Sequence, residues 1–291
     1  MAFFSGKTYD ESPESAAHRK QLIDQLTFEI VPLKSVDNAI AALPADAQVS
    51  VTCSPTKGIE ETQRLTEALH DHGFTPIPHI SARMVRDNTH TAELAAWCRK
   101  LGLDKIFIVG GDAEEPGEYL GAVEFLADLL AADHGLTTIG VTAYPDGHAF
   151  LSAEKLRWAL HEKQRLLAEA GVQGYCSTQM CFDPDSIAKW LRTERELGLT
   201  LPVHLGISGV VDKTKLLTMG ARLGIGDSLK YLRKNMGAVI KMMTSVAYDP
   251  NDLLLPLSSD LVDQGVEGLH VFTFNQVEAT NAWRKSAITA E

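Results

Sequence analysis

Glu29, Thr52, His79, Asp112, Tyr144, Gln179, Ser208 and Thr273 recur at or just beyond the ends of successive apolar, β-branched stretches of this chain. A carboxylate, an imidazole, a phenol, a carboxamide and hydroxyls brought to one place suit proton transfer to a small polar ligand and hydrogen bonding of it. Any one of them alone is what strand ends carry in most proteins, where turn and capping residues collect. The sharpest is Glu29, set inside Leu26-Thr27-Phe28-Glu29-Ile30-Val31-Pro32. The β-branched and aromatic residues there favour a strand, and Pro32 stops it by removing a ladder donor. If Phe28 and Ile30 face one way, Thr27, Glu29 and Val31 face the other. A carboxylate buried on that second face without a partner keeps its proton near neutral pH, which is what a general acid needs. An edge strand with Glu29 turned to solvent fits the same seven residues equally well.

The elements that must position these residues alternate almost without interruption. A helix over Glu14 to Gln25 precedes the Glu29 strand, and a short helical stretch runs from Val36 to Leu43. Further strands are expected at Ala47–Cys53, Thr75–Ile80, Lys105–Gly110, Thr137–Ala143, Gly174–Met180, Leu201–Ile207 and Gly268–Phe274. Apolar residues at helical spacing fill Gly58–His72, Asn88–Gly102, Gly117–Ala132, Ser152–Ala170 and Asn275–Ser286. Eight strands with intervening helices and no low-complexity linker read as a single (β/α)8 barrel over residues 1–291, with a helical extension over about the first 25. A doubly wound open sheet is the alternative, but it usually announces a Gly-rich first turn, and none follows the first strand. Gly220-Ala221-Arg222-Leu223-Gly224-Ile225-Gly226, before an expected helix from Ser228, departs from the G-x-G-x-x-G spacing and is read as a turn. In a barrel the active site lies at the C-terminal mouth of the strands, so the polar strand ends become a candidate site.

Composition narrows the ligand. The net charge of −11 argues against a nucleic-acid or anionic membrane surface, which would need clustered Lys and Arg. Residues 1–15 are polar, with no signal-peptide core, and no apolar run is long enough to span a bilayer, so a cytoplasmic protein is expected. Cys53, Cys98, Cys176 and Cys181 form no C-x-x-C pair and read as buried thiols. Oligomeric state leaves no mark in the sequence.

Some chemistries are disfavoured. No lysine ends a strand, as a Schiff-base aldolase would require, because Lys105 begins its strand and Lys241 lies in a helical run. There is no G-x-S-x-G nucleophile elbow. Glu29, His79, Asp112 and His204 are possible metal ligands, and a metal-dependent barrel hydrolase using His79, Asp112 and His204 is one reading. No His-x-His or His-Glu-x-x-His pairing supports it, so no metal is expected.

Taken together and in order, the strand-end motifs resemble the methylenetetrahydrofolate reductase family, flavin-carrying (β/α)8 barrels that reduce 5,10-methylenetetrahydrofolate to 5-methyltetrahydrofolate. Phe28-Glu29-Ile30-Val31-Pro32, Val49-Ser50-Val51-Thr52, Pro78-His79-Ile80, Gly111-Asp112, Ala143-Tyr144-Pro145 and Ser177-Thr178-Gln179-Met180-Cys181-Phe182-Asp183 carry the likeness. The resemblance implies that Glu29 is the general acid. It implies that Asp112 and Gln179 hold the folate pterin, and that Thr52, His79 and Tyr144 contact the flavin. NAD(P)H is the implied hydride source, within one-carbon metabolism and methionine biosynthesis.

The departures from the family pattern fall on the flavin side. Val109-Gly110-Gly111-Asp112 has Gly110 where the family has an arginine, and Leu167 stands where it has a lysine; Lys163 or Arg165 is a candidate replacement. After the seventh strand the family's P-G-I-x-P reads Leu205-Gly206-Ile207-Ser208-Gly209. Two cationic partners lost from a diphosphate remove about 1.5 to 3 kcal/mol each. The expectation is therefore a folate reductase in which NAD(P)H passes hydride directly to the folate iminium. FAD-relayed reduction and a catalytically silent folate-binding barrel are the alternatives, and NADH against NADPH is not legible.

Overall fold

The structure, a computed structural model, describes residues 10–212, 214–216, 218 and 247–290. Gly220–Gly226, Ser228 and Lys241 lie outside the described residues. Eight parallel strands close in sequential order: β1 (Thr27–Ile30), β2 (Gln48–Val51), β3 (Thr75–Ser81), β4 (Lys105–Val109), β5 (Thr138–Ala143), β6 (Gln173–Thr178), β7 (Val203–Ser208) and β8 (Val266–Phe272), with β8 pairing back onto β1. The expected (β/α)8 barrel is the fold, and the open sheet is excluded by that last pairing. Helices α1 (Pro13–Asp24), α2 (Val36–Ala41), α3 (Gly58–Asp71), α4 (Asn88–Leu101), α5 (Ala122–Ala131), α6 (Ala153–Ala170) and α7 (Pro184–Glu196) alternate with the strands. The short α8 (Asn251–Leu254) and α9 (Ser258–Asp263) precede β8, and α10 (Val277–Thr289) follows it. No helix of the described residues is long and apolar enough to cross a membrane.

Capping chemistry sets the boundaries. Ser12, Asp87, Ser152 and Asp183 each accept a backbone N–H at the start of α1, α4, α6 and α7, and Gly102 and Gly171 close α4 and α6 in the left-handed conformation. The helix expected from Gly117 begins only at Ala122. Gly117 packs against the Val85 carbonyl, where an added Cβ would lie 2.0 Å away, and the chain there follows the mouth instead of coiling. Gln179 and Thr273, expected on strands, lie one residue beyond β6 and β8.

The period-two alternation gives the strands an outer and an inner core, and a third buried cluster gathers Met180, Phe182, Val211, Leu216, Tyr248 and Phe274. One face of each strand, including Phe28, Ile30, Val49, Val51, Ile108, Val141, Leu205 and Val271, packs under the helices in the main core. The inner face is unusual for a barrel because it carries rings in place of branched aliphatics. Phe107, Tyr175 and Ile77 form a separate inner cluster, His204 stacks on Tyr175 with ring centroids 4.3 Å apart, and His79, Phe107 and His270 face one another at 4.8 to 5.8 Å. Glycines make room for them. A Cβ on Gly140 would meet Tyr175 and Phe107 at 2.4 to 2.5 Å, and one on Gly268 would meet His204 at 2.8 Å.

Lys163 is a cost that the packing carries. It is buried on α6, its Nζ donates to the carbonyl and hydroxyl of Thr142 on β5, and burial pulls its pKa down to about 8. The unfolded chain, with a lysine near 10.5, binds more protons than the folded one between these values, so this group makes stability rise as pH increases from about 8 to about 10.5. The rise is on the order of 3 kcal/mol. Lys163→Met should abolish it. Urea midpoints of the two proteins, compared at pH 7 and pH 10, should show the wild type gaining on the variant, and parallel behaviour would refute the assignment.

Candidate active site

Glu29 is buried at 4% exposure on the inner face of β1, so the solvent-facing edge-strand alternative is excluded. Its carboxylate has a partner that the sequence reading missed. His270, on the inner face of β8, places Nε2 2.9 Å from Glu29 Oε2, and both side chains are about 5% exposed. Oε1 takes no hydrogen-bond partner among the described residues. His79 lies beside this pair with its Nε2 2.6 Å from Ser50 Oγ. Burial, followed by the neighbouring His270, pushes the His79 pKa well below the usual histidine value. The same two influences, with Lys105 adding to them, hold His204 at about 3. His79 and His204 are therefore neutral imidazoles at physiological pH.

The end of β1 is fixed by a clamp from the β8 side. Thr273 Oγ1 donates to the Glu29 carbonyl at 2.6 Å, and the Asn275 side chain both accepts from Val31 N and donates to Val31 O, each at 2.9 Å. Phe274 and Asn275 adopt φ of 47° and 63°, a left-handed pair without glycine. Such backbone costs about 1–3 kcal/mol per residue and persists only where surrounding bonds hold it. Here those bonds set the height of Glu29 in the barrel.

The other expected residues divide by position. Asp112 is exposed just past β4, beyond Gly111, whose φ of 86° and missing side chain let the chain cross Ser81. Gln179 is half-buried, and its Oε1 accepts from Met180 N, which leaves its amide N–H groups for a ligand. Tyr144 is half-buried, and burial raises its phenol while the Thr142 hydroxyl partly offsets that. Thr52 and Ser81 bury hydroxyls that find no partner among the described residues. Ser208 is buried on β7.

The metal set suggested by sequence is not brought together. His204 is stacked on Tyr175 and Asp112 is exposed on its loop; the residues that do converge are Glu29, His79 and His270, with ligand-type atoms within 4.8 Å of one another. Donors on a tetrahedral ion stand about 3.4 Å apart. In this cluster the carboxylate and His270 are joined by a direct 2.9 Å hydrogen bond, and His79 turns its Nε2 to Ser50.

His270 and Asn275 are what the sequence reading overlooked. His270 sits between apolar Leu269 and Val271, the same alternation that singled out Glu29, so that signal was present; Asn275 carried none.

The family model described as methylenetetrahydrofolate reductase matches residues 34–287, a span that starts after β1 and so leaves Glu29 to rest on geometry. The chain is 24% identical over 175 residues to methylenetetrahydrofolate reductase 2 of Saccharomyces cerevisiae, a stretch covering 58% of this chain and 28% of the yeast protein. The chain thus spans less than a third of that relative's length. Among solved structures, deoxyribose phosphate aldolase from Aeropyrum pernix is similar at 13% identity and a TM-score of 0.41, covering 94% of this chain and 97% of that one. A candidate phosphonomutase from Burkholderia cenocepacia shares 12% identity at a TM-score of 0.49, over 92% and 95% of the two chains. The family match extends over most of the barrel, from α2 through α10, and on that ground the chain belongs to the methylenetetrahydrofolate reductase family.

Proposed function

We propose that this chain reduces 5,10-methylenetetrahydrofolate to 5-methyltetrahydrofolate, with NAD(P)H as direct hydride donor, in the cytoplasm. The observation that carries the proposal is Glu29: a buried carboxyl at the mouth end of β1, anchored through Oε2 and open at Oε1. Glu29 protonates the departing ring nitrogen of the folate. The ring C–N bond breaks with its electron pair going to that nitrogen, and the resulting iminium carbon receives the hydride. Gln179 and Asp112 orient the pterin by hydrogen bonds, which places the iminium within reach of the donor.

A flavin diphosphate fits the described residues poorly. At Gly110, where the family has an arginine, an added Cβ would have nothing within 4 Å, so no other group fills the position. Leu167 faces the α6–β6 layer against Gly174, so its apolar character reports on packing and not on a cofactor. Among the described residues, Arg83 donates to the Ala113 carbonyl, Lys163 to that of Thr142 and Lys215 to that of Phe274, so these cations serve the chain's own oxygens. Arg165 is forked between Glu162 and Glu169 on the outside of α6. His79, an implied flavin contact, is buried among Ser50, Phe107 and His270, while Tyr144 and Thr52 remain at the mouth.

Direct transfer requires both substrates in the mouth together, with donor and acceptor carbons about 3.5 Å apart. Initial rates measured while both substrates are varied, on protein freed of any flavin, should give intersecting double-reciprocal lines. Parallel lines, or activity that returns only with added FAD, would favour the flavin-relayed version; no turnover with either nicotinamide despite folate binding would favour a silent binding barrel.

A further inference from the structure

We propose that His270 is the proton-return group of the site, a positioning residue that holds Glu29 between turnovers and reloads it with a proton after each one; the inference rests on the folate-reductase reading. Each turnover takes one proton from Glu29: its O–H bond breaks, an N–H bond forms on the folate, and two electrons leave the nicotinamide as hydride. The carboxylate left behind is buried, and so is His270 beside it, each side chain at about 5% exposure. His270 Nε2 stands at hydrogen-bond distance from Oε2, so the imidazolium N–H can break as the Glu29 O–H re-forms, and solvent then restores the proton to His270.

The surroundings select His270 for this task. The groups facing it are Glu29 from β1, His79 from β3, Phe107 from β4, Phe272 on its own strand and, electrostatically, His204 from β7, itself influenced by Lys105. Of the three inner imidazoles, His79 and His204 are held neutral by burial and by His270. Glu29 is the carboxylate in direct contact with this cluster, and it touches His270. The arrangement also lets the donating oxygen and the refilling oxygen differ, because Oε2 faces His270 while Oε1 stays free.

The test separates the first turnover from those that follow. The first turnover spends the proton that Glu29 already carries, so His270→Gln, which can still hydrogen-bond the carboxylate, should leave the single-turnover rate within about 3-fold of wild type while slowing the steady state at least ~10-fold. Rapid mixing should then show a burst of one nicotinamide oxidised per enzyme. In His270→Ala, added imidazole should restore steady-state turnover. Equal losses in both phases would mean a merely structural residue and would overturn the proposal, as would no loss in either. Should both variants fail to fold, the wild type and Glu29→Gln carrying 15N-labelled histidine decide: the His270 Nε2 resonance should move when the carboxyl is replaced, and identical spectra overturn the pairing. A wild-type chain that turns over no methylenefolate with any donor would instead overturn the function, and the relay with it.

Discussion

Replacing Glu29 by Gln should leave folate binding essentially intact and lower the rate of reduction at least ~100-fold. The amide keeps the shape of the carboxyl and its hydrogen bond toward His270, so the barrel interior is not disturbed. What is lost is the transferable proton, and with it the opening of the five-membered ring that creates the iminium. The loss should therefore appear in kcat, with folate affinity measured by equilibrium titration unchanged. A variant that binds folate and turns over at near-normal rate would remove Glu29 from the mechanism, and a pure KM effect would make it a binding residue. This discriminates more sharply than loss of activity in Asp112 or Gln179 variants, since those side chains would act on pterin orientation and so on binding and rate together.

Glu29 also shows how far the sequence reaches. Alternation around Phe28 and Ile30 set the carboxyl on the opposite face and left open whether that face is inner or solvent-facing, while eight strands alternating with helices indicated a barrel, because side-chain period is a local consequence of strand geometry. The partner of Glu29 was not legible in that way. His270 lies 241 residues away, and only closure of β8 onto β1 makes the two neighbours. The same closure turns Asn275, one residue among several polar ones after β8, into the clamp on Val31. Leu167 is a second case. It stands where the family pattern has a lysine, and the fold adds that its side chain packs on α6 into the layer above Gly174. Sequence thus carried which face a residue occupies, and long-range pairing decided what it does there.

Gly206→Ala should be the most damaging single-methyl change in the inner wall, costing about 3 kcal/mol or more of stability. Gly206 sits on β7 in register with His270 and beside β6, and its N–H donates to Thr178 Oγ1 at 2.8 Å in place of a backbone carbonyl. A Cβ there would stand 2.0 Å from the Thr178 carbonyl oxygen and 3.0 Å from the Phe272 ring. A ring can turn aside, but a backbone carbonyl of a barrel strand moves only if β6 and β7 part. Gly140 offers the comparison. The nearest atoms to a Cβ at that position belong to side chains, those of Tyr175 and Phe107, which can shift together at smaller cost. Gly140→Ala should therefore be the milder of the two. Denaturant unfolding of both variants checks the order, and a Gly206→Ala protein as stable as wild type would show that β6 and β7 can separate there without opening the barrel. Because β7 also neighbours the strand that carries His270, a folded but loosened Gly206→Ala protein should lose turnover before it loses folate binding. The Glu29–His270 hydrogen bond spans β1 and β8, and it stays short only while β8 is held from both sides.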